Sequence, residues 1–357
     1  MICFYHQNKN GICIDRCLGS DGILELPEEI DGQPVTELAS YIFSEGLDED
    51  DRQIYLKNDR IYSEEGTADP DKYPDIAGNR LTELYLPSRL RKIGRYAFYN
   101  CFQLKKISFQ GNLKDLGAGA LTGCHRMEYI HVKTDEKGES CLRDFLTELP
   151  ETLLVEIEQN GARARFWFPE FFEEGVENTP ARILENHVHG SGIRYRNSFL
   201  HRTLNILEYD KLFPYAVAWE QAEVVLKLAL DRLLYPVGLT ETAQEKYREY
   251  LKEHMEEAFL YLGKIKAYTD MAEIIRSLKP DRVQIEKVLE KAQQQGDSRW
   301  VSILMNELGT HGRKKRNIEG RIQDKWCCRN LRYTGKNLRG RERHQSVRHG
   351  NLCAGGA

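Results

Sequence analysis

The sequence has no long hydrophobic run: nothing in its 357 residues approaches the roughly 18 consecutive apolar positions of a membrane span. An export leader is not expected in the opening segment, because Met1 to Ile14 carries Gln7, Asn8, Lys9 and Asn10 where a signal needs a basic start and an apolar core. Nine cysteines, an odd number scattered over a long chain, argue for reduced thiols over a disulfide framework. The expected location is therefore the cytoplasm. The H-E-x-x-H frame of helical zinc sites is missing, and Gly117-x-Gly119 lacks the third glycine of a dinucleotide loop, since position 122 is Thr122. No catalytic residue, metal ligand or cofactor site is assigned, and the chain is expected not to be an enzyme.

Material for a core is ample. Hydrophobic residues make up 41% and charged residues 30%, with 18 Tyr and 13 Phe, which describes a globular chain and excludes wholesale disorder. The length exceeds the roughly 250 residues at which a single core stops growing, so more than one domain is expected. The net charge of -4 conceals an asymmetry. From His311 to Ala357 there are thirteen Lys/Arg against three Asp/Glu, about +10, which leaves about -14 on residues 1–310.

The dominant pattern is an internal repeat. Shifting Leu81, Leu84, Leu86, Leu90, Ile93, Ala97, Phe98 and Cys101 by 23 gives Leu104, Ile107, Phe109, Leu113, Leu116, Ala120, Leu121 and Cys124. A second shift gives Met127, Ile130 and Val132, and a looser earlier copy runs through Leu24, Leu26, Ile30, Val35, Leu38, Ile42 and Phe43. Leu84 and Leu86 flank Tyr85 with period two, so both leucines share one face of a short strand and Tyr85 takes the other. One coil cannot bury that apolar face alone; stacked coils bury it between neighbours and leave the outward side chains as a ladder. Tyr85, Ser108 and His131 occupy equivalent outward positions. Cys101 and Cys124 are equivalent core positions.

The phrase from Ile93 through Gly94, Arg95, Tyr96, Ala97, Phe98, Tyr99 and Asn100 to Cys101 resembles the signature of BspA-type leucine-rich repeats. Its second copy, Leu116 to Cys124, keeps the frame and puts Gly119 and Leu121 in place of the aromatic pair. The resemblance covers about residues 10 to 135 and implies a protein-binding solenoid, as in many bacterial surface and effector proteins. The polar stretch with Asp48, Glu49, Asp50, Asp51, Pro70 and Pro74 reads as a loop insertion.

Beyond the repeats, Leu153–Ile157 and Ala162–Phe168 are strand-like and meet at Asn160-Gly161, a pair suited to a tight hairpin turn. Trp219, Ala222, Leu226, Ala229 and Leu233 form a helical stripe ended by Pro236 and Gly238. Thr240 is placed to cap a helix carrying Ala243, Tyr247, Leu251, His254 and Ala258; a shorter helix holds Met271, Ile274, Ile275 and Leu278. Two helices around Gly296-Asp297 resemble the helical hairpin of ankyrin-like repeats near residues 281–308.

The expected fold class is α+β and multi-domain: a short leucine-rich repeat solenoid, a mixed β-hairpin region and a C-terminal α-helical array. The boundaries read as 1–135 for the repeat array with an insertion at 44–80, 136–210 for a mixed linking region, 211–310 for the helical array and 311–357 for a basic tail. That tail reads three ways: disordered, nucleic-acid binding, or a shifted reading frame. The expected function is non-enzymatic protein–protein interaction through Tyr85, Arg89, Ser108, Gln110 and His131, with another protein as partner and no membrane. Two alternatives stand beside it. One is a hydrolase or metal-binding site within 167–210, where Glu185, His187, His189 and His201 cluster; the other is nucleic-acid binding by the tail.

Overall fold

A computed structural model describes residues 1–45, 60–63, 66, 69–178 and 183–309, without the side chains of 176–178 and 183–186. Close packing divides the chain into two bodies, Met1–Gln284 and a second beginning at Ile285. The Asp48–Asp51 run and the whole basic tail lie outside the described residues.

The first body opens with an antiparallel hairpin of β1 (Ile2–Gln7) and β2 (Ile12–Leu18). A solenoid of about five turns follows. Its first coil holds β3 (Ile23–Glu25), β4 (Glu29–Ile30) and β5 (Gln33–Leu38). From the expected insertion, β6 (Arg60–Ser63) returns to pair with β1. The next coils hold β7 (Glu83–Tyr85) with β8 (Lys92–Ile93), then β9 (Lys106–Gln110) with β10 (Asp115–Leu116). They continue with β11 (Tyr129–Thr134), helix α1 (Leu142–Glu148) and the hairpin of β12 (Leu153–Gln159) and β13 (Ala162–Phe168).

Two sheets result. The first runs β13-β12-β11-β9-β7-β3, parallel except for β13; the second runs β10-β8-β5-β2-β1-β6. Leu24, Leu84, Ile107, Ile130 and Val155 are register partners, each at most 3% exposed, and the shift of 23 is the step from Leu84 through Ile107 to Ile130. Each such side chain contributes about 1.5–3 kcal/mol by leaving water. Asn160 and Gly161 both adopt positive φ and turn the chain back through the β12–β13 hairpin.

The turns after the second-sheet strands form a ladder of their own. Phe43 N donates to Ala97 O and Phe98 N to Ala120 O, both at 2.8 Å. Phe43 stacks on Phe98 and Tyr41 on Tyr96, while the Cys101 and Cys124 thiols donate back to Phe43 O and Phe98 O at 3.2 Å. Burial pushes the Cys101 thiol up to about 12. Coils approach so closely that a Cβ on Gly94 or Gly117 would lie 2.3–2.4 Å from the backbone of the preceding coil. Gly119 departs from the aromatic pattern for a local reason: its backbone has positive φ and a Cβ would stand 2.4 Å from the Tyr96 ring.

The ladder points one way, and each end has a side chain matched to it. At the first coil the outstanding groups are carbonyls, and Arg16, 5% exposed, donates to Tyr41 O and Ile42 O at 2.9 Å and to Ser44 O at 3.2 Å. At the last repeat turn the outstanding groups are N–H. There the Glu148 carboxylate, on α1, accepts from Gly119 N at 2.9 Å and Leu121 N at 2.7 Å. Beneath it Phe145 stacks on Phe109.

The first body continues beyond β13 into a further hairpin and a set of helices. A hairpin of β14 (Phe172–Asn178) and β15 (Ile183–His189) is followed by α2 (Gly192–Arg196), the two-residue strands β16 (Phe199–Leu200) and β17 (Thr203–Leu204), and α3 (Ile206–Lys211). Then come α4 (Phe213–Trp219), α5 (Ala222–Leu234), α6 (Glu241–Glu253), α7 (Met255–Lys264) and α8 (Tyr268–Leu278). The Tyr209 hydroxyl donates to Trp167 O at 2.6 Å, and Trp167 Nε1 donates to Asp231 on α5 at 2.7 Å. Behind them Arg232, fully buried, forms a fork with Asp210 at 2.9 and 3.0 Å, and the Tyr247 hydroxyl donates to Asp210 at 2.8 Å.

Two helical expectations are corrected. Trp219 does not belong to the Leu226–Leu233 stripe: an extended Glu220 ends α4, and Trp219 is 52% exposed. His254 and Ala258 do not continue the helix of Tyr247, because His254 leaves helical geometry and α7 starts afresh. Thr240 does cap α6, accepting from Ala243 N at 3.3 Å. The second body includes most of α9 (Arg282–Gln294) and a helical segment at 298–309, joined through Gly296 at positive φ and Asp297, whose carboxylate accepts from Trp300 N at 3.0 Å; Val288 and Trp300 are buried.

Two outcomes follow from this packing. Glu148→Ala strips the acceptor from two turn N–H groups and should lower unfolding stability by about 1–2 kcal/mol in urea, with Glu148→Gln intermediate; an unchanged midpoint would show that the ladder needs no terminal cap. Burial raises the Asp231 carboxyl to about 6, against the lowering pull of Trp167 and Arg165. The folded value lies above the unfolded one, so ionisation costs stability in full above about pH 6, and that cost fades as pH falls toward about 4. Asp231→Asn should therefore be more stable than wild type at pH 7.5, by up to about 2–3 kcal/mol, with the gain vanishing near pH 4. A gain that persists unchanged at pH 4 would show it has another origin.

Candidate functional site: the outward face of the first sheet

Because the coils are locked in register, outward side chains of the first sheet fall into rows. One row reads Glu25, Tyr85, Ser108, His131, Glu156 and Arg165. Beside it run Ile23, Glu83, Lys106, Tyr129, Leu154 and Trp167, and on its other side Gln110, Lys133, Glu158 and Arg163. Tyr85, Ser108 and His131 thus come together in one row and Gln110 in the next. Arg89 does not join them. It sits in the turn after β7 and pairs with Glu29 at 3.1 Å.

The rows are joined by polar contacts between neighbouring strands. Ser108 Oγ lies 2.9 Å from His131 Nδ1, and His131 Nε2 lies 3.7 Å from Glu158. Lys106 donates to the Tyr85 hydroxyl at 2.7 Å, stands 3.4 Å from Glu83, and lies over the Tyr85 and Tyr129 rings. The Tyr85 hydroxyl holds the Lys106 ammonium above its ordinary value. Glu158, ion-paired with Lys133 at 3.2 Å, is held below the usual carboxylate range. Glu156 is 5% exposed and satisfied by Arg165 at 2.8 Å; burial, aided by Glu156, pushes Tyr129 up to about 12. These contacts match opposite charges and order the side chains of the face.

At the β13 end the face runs into a pocket of about 430 Å³ between the hairpin and α5. Its lining includes Glu128, Glu170, Glu220 and Glu223 against a single cation, Lys227, with Trp167 beside them. Glu223 pairs with Lys227 at 2.7 Å, and the Lys227 ammonium lies 5.2 Å from the Trp167 ring. An apolar pocket of about 260 Å³, lined by residues such as Ile157, Phe166, Leu204 and Val237, lies elsewhere on the hairpin.

Sequence reasoning placed the face on strands as far as His131 and missed its continuation through Glu156, Glu158, Arg165 and Trp167. The missing signal is the spacing: Ile130 pairs with Val155, 25 positions on instead of 23, because α1 intervenes. Of the histidine cluster, His189 stacks on Phe172 and lies 3.1 Å from Glu174, while His201 occupies the β16–β17 turn; the Glu185 side chain is outside the described residues. Cys13 and Cys17 lie on strand β2, and Cys17 Sγ stands 3.6 Å from Cys3 Sγ. Among the described residues, one group of three potential metal donors converges, and it is a different one: His6, Cys13 and Asp15.

The family described as a BspA type leucine-rich repeat region matches residues 77–147, in six copies. Among solved structures, the chain is similar to a leucine-rich cell surface protein from Faecalibacterium prausnitzii A2-165, at 19% identity over 41% of this chain and 33% of that one, with a TM-score of 0.25. It is also similar to a T. pallidum leucine-rich repeat protein, at 20% identity over 43% of this chain and 81% of that one, with a TM-score of 0.21. The chain thus spans about a third of the length of the first of these. No curated protein matches it, and among the described residues no helix is long and apolar enough to cross a membrane. The segment 77–147, with Gly94, Ala97, Phe98 and Cys101 repeating at Gly117, Ala120, Leu121 and Cys124, consists of BspA-type leucine-rich repeats.

Proposed function

We propose that the chain is a non-enzymatic protein–protein interaction module and that its partner binds across the outward face of the first sheet. The observation that carries this reading is the continuous, register-locked array of aromatic and charged side chains over six strands, with Tyr85, Tyr129 and Trp167 half-buried among them. Tyr85, Tyr129 and Trp167 supply the large, rigid contact area that dominates binding energy at protein interfaces. Their polar neighbours are already held in place, which lowers the entropy cost of docking.

Size sharpens the reading. Five strand spacings of about 4.8 Å and about three outward residues per strand give a flat area of about 400 Å², half of the roughly 800 Å² that one side of a standard interface buries. A stable complex therefore engages more than the strands. The acidic pocket continues the same face, so the partner segment we favour carries a Lys or Arg side chain that enters between Glu170, Glu220 and Glu223. Catalysis has weaker support: Ser108 Oγ does stand 2.9 Å from His131 Nδ1, with Glu158 3.7 Å from Nε2, but Glu158 is committed to Lys133 at 3.2 Å and neither of the two pockets described above is lined by Ser108 or His131.

The test is affinity capture from extract of the source cell with mass spectrometry, followed by measured affinities for whichever protein is captured. Tyr85→Ala combined with His131→Ala should weaken binding at least tenfold, and Glu220→Gln with Glu223→Gln should flatten its salt dependence. Lys92→Glu, exposed on the second sheet, should leave binding unchanged. Partners retained at wild-type affinity by the Tyr85/His131 variant would place the binding surface elsewhere.

A further inference from the structure

We infer that His6, Cys13 and Asp15 form a binding site for a divalent transition-metal cation of the zinc type, on the N-terminal hairpin and separate from the protein-binding face. His6 and Cys13 are register partners across β1 and β2. The register then slips between Phe4 and Tyr5, opposite Ile14 and Arg16, so Asp15 is the extra residue of a β-bulge. Bulges redirect side chains and recur beside functional sites. Here the bulge brings an Asp15 carboxylate oxygen to 2.7 Å from His6 Nδ1, with the other oxygen 4.0 Å from Cys13 Sγ. One donor atom from each of the three residues falls within 4.8 Å of the others.

The donor set selects the ion. Nitrogen, sulfur and oxygen together suit a borderline cation such as Zn²⁺, whereas Ca²⁺ and Mg²⁺ take oxygen donors almost alone. A thiolate and a carboxylate neutralise two positive charges, which matters because Cys13 and Asp15 are only 5% and 4% exposed. Zinc–donor bonds of about 2.0–2.3 Å in a tetrahedron separate donors by roughly 3.3–3.7 Å, so closing the site asks each group to move by about an ångström or less. His6, with half its side chain exposed, has the freedom to do so and gives the ion a path from solvent. Three protein donors leave a fourth position for water.

The full-length protein, stripped of metal under reducing conditions, is titrated with Co²⁺ and then with Zn²⁺. The expected result is one equivalent of Co²⁺ with a near-ultraviolet thiolate-to-cobalt band that Zn²⁺ displaces, together with a rise in thermal midpoint on adding Zn²⁺. Cys13→Ser should abolish the band, and Asp15→Asn should weaken binding at least tenfold. His6→Ala decides the matter if the buried variants fail to fold, since its side chain is half exposed: it should also weaken binding at least tenfold and remove the thermal shift. No thiolate band in wild type would overturn the site. So would a band and affinity unchanged in His6→Ala, which would assign the ion to other cysteines of the chain.

Discussion

The turn-to-turn backbone ladder is the constraint on which the rest of the solenoid depends. Each repeat turn donates its N–H groups to the carbonyls of the next, so the stack has a polarity and two unlike ends. A buried backbone group without a partner costs about as much as a lost hydrogen bond, and a stack of a few coils has two such ends for little interior. A cation at the carbonyl end and a carboxylate at the N–H end are the chemically matched solutions, and Arg16 and Glu148 occupy those places. Neither belongs to a repeat turn. Arg16 comes from the hairpin before the first coil and Glu148 from the helix that replaces the repeat turn of the fourth, so the flanking structure is what makes a short array self-sufficient.

The same ladder fixes the outward face of the first sheet. Coil spacing is set where Gly94 and Gly117 let backbones touch, and that spacing is transmitted through the core column of Leu84, Ile107 and Ile130 to the outward rows. Tyr85, Lys106 and Tyr129 meet because their coils cannot slip by a residue without turning every inward side chain outward. Rigidity of the core and order of the surface therefore have one cause. A repeat scaffold varies its outward residues freely while keeping the inward ones, so fold alone names no partner.

Much of this was legible in the sequence, in proportion to how locally it was encoded. The shift of 23 found the inward column, Cys101 and Cys124, and the outward positions of Tyr85, Ser108 and His131, since alternation and periodicity are properties of neighbouring residues. Asn160-Gly161 announced its hairpin by the same logic. Arg16 and Glu148 look like ordinary surface charges until the direction of the ladder is known. Glu220 and His254 split expected helices through backbone geometry that apolar periodicity does not record, and the convergence of His6, Cys13 and Asp15 depends on a bulge, a one-residue event in pairing. Arg89 falls off the face because β7 ends at Tyr85 and the outward alternation does not continue into the turn that holds Arg89.

The helices beyond the hairpin solve a problem that the first sheet creates. A parallel stack closed by an antiparallel strand still ends in an edge, and β13 would expose backbone groups and the apolar side of Phe166 and Phe168. Tyr209 takes the Trp167 carbonyl, Phe166 and Phe168 lie against Tyr209, and Arg232 stacks over Phe166 while it binds Asp210. A buried Arg–Asp pair contributes little net stability compared with apolar packing, but losing either partner strands a buried charge at a cost of about 3–5 kcal/mol. What the pair contributes is position. The Asp210 carboxylate joins α3, α5 and α6 through Arg232 and Tyr247, and the preceding residue on α5, Asp231, is thereby held against Trp167 and 3.9 Å from Arg165 at the end of the outward rows. The wall that closes the sheet edge is also the wall of the acidic pocket, so the helices set the far limit of the face on which a partner is proposed to bind.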